Sequence, residues 1–173
     1  MIFTIGTSNR ALTEFIGELQ RRKITHLVDV RSSPWSKLAH FSAPQIMRWA
    51  EKEGIFYREA GDILGGRSPI PVDDPSYVAE LERLIATSCR ERVAIFCAEG
   101  EPEYCHRSYS VAASLLVRFG VVAVNVRRDG SDQDVTETLA RTFPRSIPAI
   151  IRTRALALAA APMIRSTDPT RPI

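Results

Sequence analysis

Short runs of apolar and β-branched residues alternate along this chain with segments of helical periodicity. Regular alternation of strands and helices is typical of βαβ units, and it therefore predicts a mainly parallel sheet. The strand runs are almost continuously apolar, as expected for a sheet that is covered on both faces. The predicted strands are residues 2–6, 27–31, 55–58, 93–97 and 121–126, and the predicted helices are residues 12–22, 44–53, 77–88 and about 102–119.

This pattern favours one α/β domain over residues 1–143. We expect three layers, with a five-stranded, mainly parallel sheet between helices on both faces, in the Rossmann-like or flavodoxin-like class. A chain of 173 residues with 45% apolar residues can bury such a core without disulfides or a structural metal. Residues 144–173 are rich in Arg, Pro and Ala, and we expect them to form a C-terminal arm or tail, partly packed or flexible.

The positive charge of the chain is concentrated at its C-terminal end. The chain has 20 Arg, 3 Lys and a formal net charge of +3, a balance that by itself suggests a nucleic-acid partner. Residues 144–173 hold five arginines against one aspartate, a net charge of +4, which leaves −1 for residues 1–143. The predicted domain is therefore not basic, and only the tail is a candidate contact for nucleic acid.

The chain shows no signature of secretion or membrane insertion. Its N-terminus has no basic segment followed by a long apolar one, and no apolar run approaches the roughly 20 residues of a membrane span. We therefore expect a cytoplasmic protein with no membrane partner. The three cysteines, Cys89, Cys97 and Cys105, are an odd number, which argues against a disulfide framework and favours a reactive or metal-binding thiol.

Polar side chains follow four of the predicted strands. In open parallel sheets, ligands bind beyond the carboxyl ends of the strands, so these side chains are expected at one edge. The planar guanidinium of Arg binds phosphate and carboxylate with two parallel hydrogen bonds, which predicts a small anionic ligand. The candidates are Ser8, Asn9 and Arg10 after the first strand, Asp29 and Arg31 at the end of the second, Gly65, Gly66 and Arg67 after the third, and Cys97, Glu99, Cys105, His106 and Arg107 at or after the end of the fourth.

Asp29 lies inside an apolar run and is predicted to be buried. A buried carboxylate is costly unless a cation pairs with it, and Arg10, Arg31 and Arg107 are the candidate partners. Such a pair either orders the loops at this edge or orients a ligand, and the sequence is compatible with both interpretations.

The segment from Cys97 to Arg107 carries the strongest chemical signal. Cys97 ends a buried strand, and a proline typical of a first helical turn predicts that Cys105, His106 and Arg107 lie in the opening turns of a helix. The helix dipole, Arg107 and a protonated His106 each lower the pKa of a nearby thiol, whereas Glu99 raises it. Cys97 is therefore a candidate nucleophile or redox thiol. The structural alternative is a small buried Cys97 beside a hydrogen-bonded His106.

A zinc centre is a further interpretation of the same segment, with Cys97, Cys105 and His106 as ligands and Glu99 as base. Adjacent residues on a helix point about 100° apart, so Cys105 and His106 would bind one ion only if the helix started later. The spacing Cys-x7-Cys-His also fits no standard structural zinc pattern. We therefore predict no metal ligand, and the residues leave any cofactor open.

Two loops contain weaker candidates. Gly65, Gly66 and Arg67 form either a backbone cradle for an anion or an ordinary turn. Trp35, with His40 and Phe41, either stacks on a planar ligand or anchors its own loop.

Four sequence blocks resemble those of the domain-of-unknown-function family 488. They read TIGTSNRALTEFIGEL, VDVRSSPWS, FYREAGDILGGR and CAEGEPEYCHR, and the resemblance covers about residues 3–126. It implies a compact α/β domain and a shared polar site made of the thirteen candidate residues named above, from Ser8 to Arg107, but no reaction. Thr7 and Asn125 stand where histidines are expected, so any chemistry that depends on those histidines would be altered here.

The first functional hypothesis is an enzyme for a small anionic substrate, nucleotide-like or another phosphorylated or carboxylated metabolite. Arg10, Arg31, Arg67 and Arg107 would hold the anion, Cys97 would be the nucleophile or redox thiol, and Glu99 or His106 would move protons, with Asp29 in the catalytic set. The alternatives are a non-catalytic module that binds a nucleotide or nucleic acid, and a metal-dependent hydrolase that uses Cys97, Cys105 and His106. The oligomeric state is left open.

Overall fold

Six strands form one sheet in the computed structural model, which describes residues 1–143. They are β1 (Ile2–Gly6), β2 (His26–Asp29), β3 (Phe56–Glu59), β4 (Val93–Cys97), β5 (Val124–Val126) and β6 (Asp132–Asp134). Their order across the sheet is β3-β2-β4-β1-β5-β6. All neighbouring strands are parallel except β5 and β6, which are antiparallel.

Helices cover both faces of the sheet. They are α1 (Leu12–Arg21), α2 (Ala43–Lys52), the single turn α3 (Gly61–Leu64), α4 (Pro75–Ser88), α5 (Ala113–Phe119) and α6 (Val135–Thr142). One core cluster contains Phe15 of α1 and Ile46 of α2, and the other contains Leu81 of α4 and Leu115 of α5. Alternate residues of β1 enter opposite clusters, because successive side chains of a strand point to opposite faces. The predicted α/β fold with three layers is therefore confirmed.

The sixth strand is absent from the sequence prediction, which had five. Strand β6 reads Asp-Gln-Asp and buries only Gln133, so it has no apolar signal. It forms by turning back at Gly130, which has a φ of 81°, and pairing Gln133 with Asn125. Strand β5 also begins three residues later than predicted, at Val124.

The predicted helix over residues 102–119 is interrupted. Pro102–Tyr104 form one 3-10 turn, and Cys105 is then extended, with φ −123° and ψ 133°. The carbonyl of Cys105 accepts hydrogen bonds from the backbone N–H groups of Ser108 and Tyr109, so the helical path begins after Cys105. It continues as a wide, π-helical stretch, Arg107–Ala112, before α5.

Strands β1, β2, β3 and β4 end at the same edge of the sheet, as predicted. The carboxyl ends of the neighbouring strands β2 and β4 bring the loop after Asp29 close to the segment after Cys97. Within residues 1–143, the helices are too short and too polar to cross a bilayer. The expectations for residues 144–173, including the nucleic-acid contact, concern the part of the chain outside the described residues.

Candidate functional site

A cavity of about 350 Å³ lies at the predicted edge of the sheet, beyond the carboxyl ends of β2 and β4. Seven of the predicted site residues line it, together with six others. The predicted ones are Arg31, Gly66, Arg67, Cys97, Glu99, Cys105 and His106, and the others are Ser32, Ser33, Trp35, Ala98, Tyr104 and Tyr109.

Cys97, Cys105 and His106 form a thiol–imidazole cluster in this cavity. Nδ1 of His106 lies 3.8 Å from Sγ of Cys97 and 3.9 Å from Sγ of Cys105. Nε2 of the same ring lies 2.9 Å from the carbonyl oxygen of Val30. A carbonyl only accepts hydrogen bonds, so Nε2 carries the hydrogen, and Nδ1 faces the two sulfur atoms with a lone pair in the neutral ring and with an N–H donor in the protonated ring.

Local backbone geometry places each member of the cluster. Cys97 is the last residue of β4, and the extended conformation of Cys105 turns its side chain into the cavity ahead of the helix that starts with His106. Gly66 lets its loop approach the imidazole. A Cβ atom at Gly66 would lie 3.0 Å from both Cγ and Nδ1 of His106, closer than side chains normally pack.

The pKa values of the two cluster thiols are shifted in opposite directions. A hydrogen bond from Cys97 lowers the pKa of Cys105, and hydrogen bonds from Nδ1–H of the protonated His106 ring and from the backbone N–H of Arg107 lower it further. The same thiol–thiol hydrogen bond, together with burial, raises the pKa of Cys97 above its ordinary range. Of the two thiols, Cys105 is therefore the one that ionises more readily. The charge of Arg107 lowers the pKa of both thiols, as the sequence suggests.

Arg31 is the partner of Asp29. Its Nε and Nη2 donate to the two carboxylate oxygens at 2.9 and 2.6 Å, and Nη1 donates to the carbonyl of Phe41 at 2.8 Å. The hydroxyl of Tyr57 donates a further hydrogen bond to Asp29 at 2.8 Å. Asp29 is fully buried outside the cavity, and its ion pair fixes the chain on both sides of Val30, whose carbonyl orients the imidazole.

Arg107 is fully buried and holds the loop after β4. Its Nη1 donates to the carbonyl of Glu99 at 2.6 Å, its Nη2 donates to that of Gly100 at 2.9 Å, and its Nε donates to Oγ1 of Thr4. A Cβ atom at Gly6 would lie 1.7 Å from the carbonyl oxygen of Glu99, so that loop can pack against β1 only because residue 6 is glycine.

Arg10 lies outside the cavity. It is buried, with one guanidinium nitrogen on Glu14 at 3.0 Å and another on the carbonyl of Arg127. Of the four arginines expected to clamp an anion, three are thus engaged with internal partners. The fourth, Arg67, is exposed, and its guanidinium has no hydrogen-bond partner within residues 1–143. Its backbone N–H donates to Oγ of Ser32 at 2.8 Å, which ties the two loops of the cavity together.

The remaining predicted residues, Ser8, Asn9 and Gly65, do not line the cavity. Ser8 and Asn9 are exposed in the turn after β1, where Asn9 accepts a hydrogen bond from Arg128 at 3.2 Å. Gly65 has a steric role, because a Cβ atom there would lie 2.1 Å from the carbonyl oxygen of Gly61.

The two positions where histidine was expected also lie away from the cavity. Thr7 is buried, and its N–H donates to the carbonyl of Cys97 at 2.9 Å. Asn125 is the centre of a buried polar network. Its Oδ1 accepts from Thr4 at 2.7 Å, and its Nδ2 donates to Thr138 at 2.7 Å and to Ser108 at 3.2 Å. Thr7 is thus tied to the end of β4 through its backbone, and the Asn125 side chain connects parts of the core.

Aromatic side chains line the cavity more heavily than expected. Trp35 is there, as one interpretation of the sequence suggested, but its companions His40 and Phe41 do not line it, and Phe41 is buried in the core. Tyr104 and Tyr109 were missed. They belong to the same segment as Cys105 and His106, but the assumed continuous helix gave no reason to place them beside the thiols.

The cluster could also hold a metal ion. Sγ of Cys97, Sγ of Cys105 and Nδ1 of His106 all lie within 4.8 Å of one another. The objection drawn from helical geometry does not apply, because Cys105 precedes the helix. Zn–S bonds of about 2.3 Å and Zn–N bonds of about 2.0–2.1 Å in tetrahedral geometry place such ligand atoms roughly 3.6–3.8 Å apart. The Nε2–H bond to a backbone carbonyl is also typical of metal-binding histidines.

Comparison with known proteins identifies the family. The family model described as "Domain of unknown function DUF488" matches residues 11–113, which is more than half of the chain. None of the curated proteins compared with the chain matches it. The matched range contains every member of the thiol–imidazole cluster and the Asp29–Arg31 pair, in agreement with the resemblance seen in the sequence blocks. The chain belongs to the DUF488 family.

Proposed function

We propose that this protein is an enzyme that acts on a small anionic substrate in the cavity, with Cys97 as the nucleophile. The observation that carries the proposal is the contact of His106 Nδ1 with the cluster thiols while its Nε2 is fixed on the carbonyl of Val30. A nucleophile, a base in contact with it and a third group that orients the base form the arrangement used in covalent catalysis.

In this proposal the two thiols share one proton, which allows Cys97 to act although its own pKa is raised. Moving that proton from Cys97 to the Cys105 thiolate creates a Cys97 thiolate without changing the charge of the pair. Cys97 then attacks an electrophilic carbon or phosphorus, and the leaving group departs with a proton from Cys105 or His106. Glu99, which also lines the cavity, would activate the water that releases the covalent intermediate.

The anion is assigned to Arg67, whose guanidinium has no partner among residues 1–143. Arg10, Arg31 and Arg107 act instead as positioning residues, since they hold the loops that carry the cavity lining. Asp29 likewise supports the site through Arg31. Of the four predicted clamp arginines, this division leaves the binding-module hypothesis with one that has no partner in the described residues.

The test is capture of the covalent intermediate. p-Nitrophenyl acetate is a suitable probe, because attack by Cys97 on its carbonyl releases p-nitrophenolate and leaves an acetyl thioester that water hydrolyses. We expect an acetyl adduct on Cys97 by mass spectrometry, no adduct on this site in Cys97→Ala, and unchanged capture in Cys89→Ala, which removes the exposed thiol. Equal capture in Cys97→Ala would refute a nucleophilic Cys97.

A metal-dependent hydrolase is the second candidate function, and one observation favours it. Nδ1 of His106 is almost equidistant from the two sulfur atoms, at 3.8 and 3.9 Å, although its single lone pair can accept a hydrogen bond from only one thiol at a time. A metal ion would contact all three atoms, and the cavity would leave its fourth position open, with Glu99 as the base. Elemental analysis of the purified protein decides this: less than about a tenth of an equivalent of zinc or iron excludes it.

A further inference from the structure

Three of the five exposed aromatic side chains in residues 1–143 line this one cavity. Trp35 is 71% exposed, Tyr104 is 80% exposed and Tyr109 is 45% exposed. Large aromatic groups are usually packed, and their concentration around a concave site is typical of a binding surface. No packing requirement of the described core explains these three rings, because neither core cluster includes them.

The three rings come from segments that follow two neighbouring strands. Trp35 lies in the loop after β2, whereas Tyr104 and Tyr109 lie in the segment after β4. The cavity opens between these two segments. A flat group entering it therefore meets aromatic rings contributed by both, and stacking on such rings is favourable for any planar π-system.

The polar groups of the cavity supply a second requirement for the ligand. Arg67 offers a free cation from the loop after β3, and Oγ of Ser32 holds the backbone of that residue in place. Glu99 offers a carboxylate from the segment after β4. The ligand is thus expected to combine a planar ring that carries N–H donors with an anionic group at its other end.

The geometry points to a nucleoside monophosphate as the ligand of this cavity, a substrate class that rests on the proposed function and makes it specific. The base lies against Trp35 and the tyrosines, with Glu99 available for its N–H groups, and the phosphate pairs with Arg67. A volume of about 350 Å³ is at the lower end of the usual range for small-molecule sites, roughly 300–1,000 Å³, and suits one nucleotide rather than a polymer.

Binding is measured by calorimetry and by tryptophan fluorescence on the full chain, with AMP, GMP, CMP and UMP as separate probes. The chain has two tryptophans, and Trp49 is buried in the core, so quenching reports on Trp35. We expect at least one of the four nucleotides to bind with a Kd below about 1 mM and to quench the fluorescence. Inorganic phosphate and the matching nucleoside are each expected to bind at least tenfold more weakly than that nucleotide, a difference in binding free energy of about 1.4 kcal/mol.

Substitutions separate the two parts of the site. Trp35→Ala is expected to weaken the binding of both the nucleotide and its nucleoside about tenfold. This loss of affinity lies in the range found when one stacking contact with a base is removed. Arg67→Ala is expected to weaken the binding of the nucleotide but not that of the nucleoside, which has no phosphate. Phe56→Ala and Arg48→Ala are matched controls, because both residues are exposed and line a different cavity.

The proposal is overturned if none of the four nucleotides binds below about 1 mM, if phosphate binds as tightly as the nucleotides, or if the control substitutions weaken binding as much as those at Trp35 and Arg67. Nucleotide binding is also measured with Cys97→Ala, which lacks the proposed nucleophile, so that binding is tested separately from catalysis. Nucleotide binding without thioester capture would refute the proposed nucleophile alone, and capture without nucleotide binding would refute the ligand class alone.

Discussion

His106 donates its Nε2–H to the carbonyl oxygen of Val30 at 2.9 Å, and this single bond decides which way the imidazole faces. It leaves Nδ1 directed at Cys97 and Cys105. Val30 follows directly after β2, whereas the two cysteines belong to β4 and the segment beyond it. The chemistry of the cavity therefore depends on two strands that are neighbours in space and more than sixty residues apart in sequence.

The thiol pair should react at a pH where ordinary thiols do not. The pKa of Cys105 is lowered, so one thiolate persists as the pH falls below neutral, whereas a free cysteine, with a pKa near 8.5, becomes protonated. We expect iodoacetamide to modify one thiol of the pair at pH 6, measured by mass spectrometry in a Cys89→Ser background. A rate that follows the titration of a cysteine model peptide would contradict this.

His106→Gln should raise the pKa of the pair. The protonated imidazole supplies one of the hydrogen bonds that lower the pKa of Cys105, so its loss should move the midpoint of the pH–rate profile upward by about one pKa unit. The comparison is the pH profile of the iodoacetamide rate. His40→Gln is the control, since His40 lies outside the cavity, and it should leave the profile unchanged.

Gly66→Ala should disturb the site more than its size suggests. The added Cβ would lie 3.0 Å from the imidazole of His106, so either the ring or the loop must move. We expect slower alkylation of the thiol pair at pH 6 without loss of the fold by circular dichroism. In contrast, Gly17→Ala in α1 meets no atom within 4 Å and should stabilise the helix by about 0.5–1 kcal/mol with no effect on the thiols.

Asp29→Asn should strongly destabilise the protein. It removes the anionic partner of a buried guanidinium, which typically costs about 3–5 kcal/mol, and urea unfolding measures the loss. The double substitution Asp29→Leu with Arg31→Met removes both charges and should recover much of that stability. If the single substitution costs less than about 1 kcal/mol, the ion pair does not hold this edge together.

Much of the fold follows from local sequence pattern. The apolar runs at β1 and β4 predicted those strands with their observed bounds, because a strand buried on both faces must be continuously apolar. Strand β6 could not be found in this way, since Asp132–Asp134 carries no apolar residue and exists as a strand only through its pairing with β5.

The sequence predicted many of the residues of the candidate site but not the contacts that each of them makes. The sequence placed Cys97, His106 and Arg67 at one edge, and the structure brings them into one cavity. It did not distinguish Arg67 from Arg31 and Arg107, because the three have the same chemistry and differ only in which acceptors lie within reach.

The sequence by itself determined the succession along the chain of strands β1 to β5 with the longer helical segments between them, and the chemical groups available at the carboxyl ends of the strands, since both depend on periodicity and local conformation. Tertiary structure alone decided the pairing of Asp29 with Arg31, the delayed start of the helix at Cys105 and the direction of the imidazole. Each of these depends on a distance between residues from different segments, and such distances exist only once the sheet has formed and its two faces have been packed.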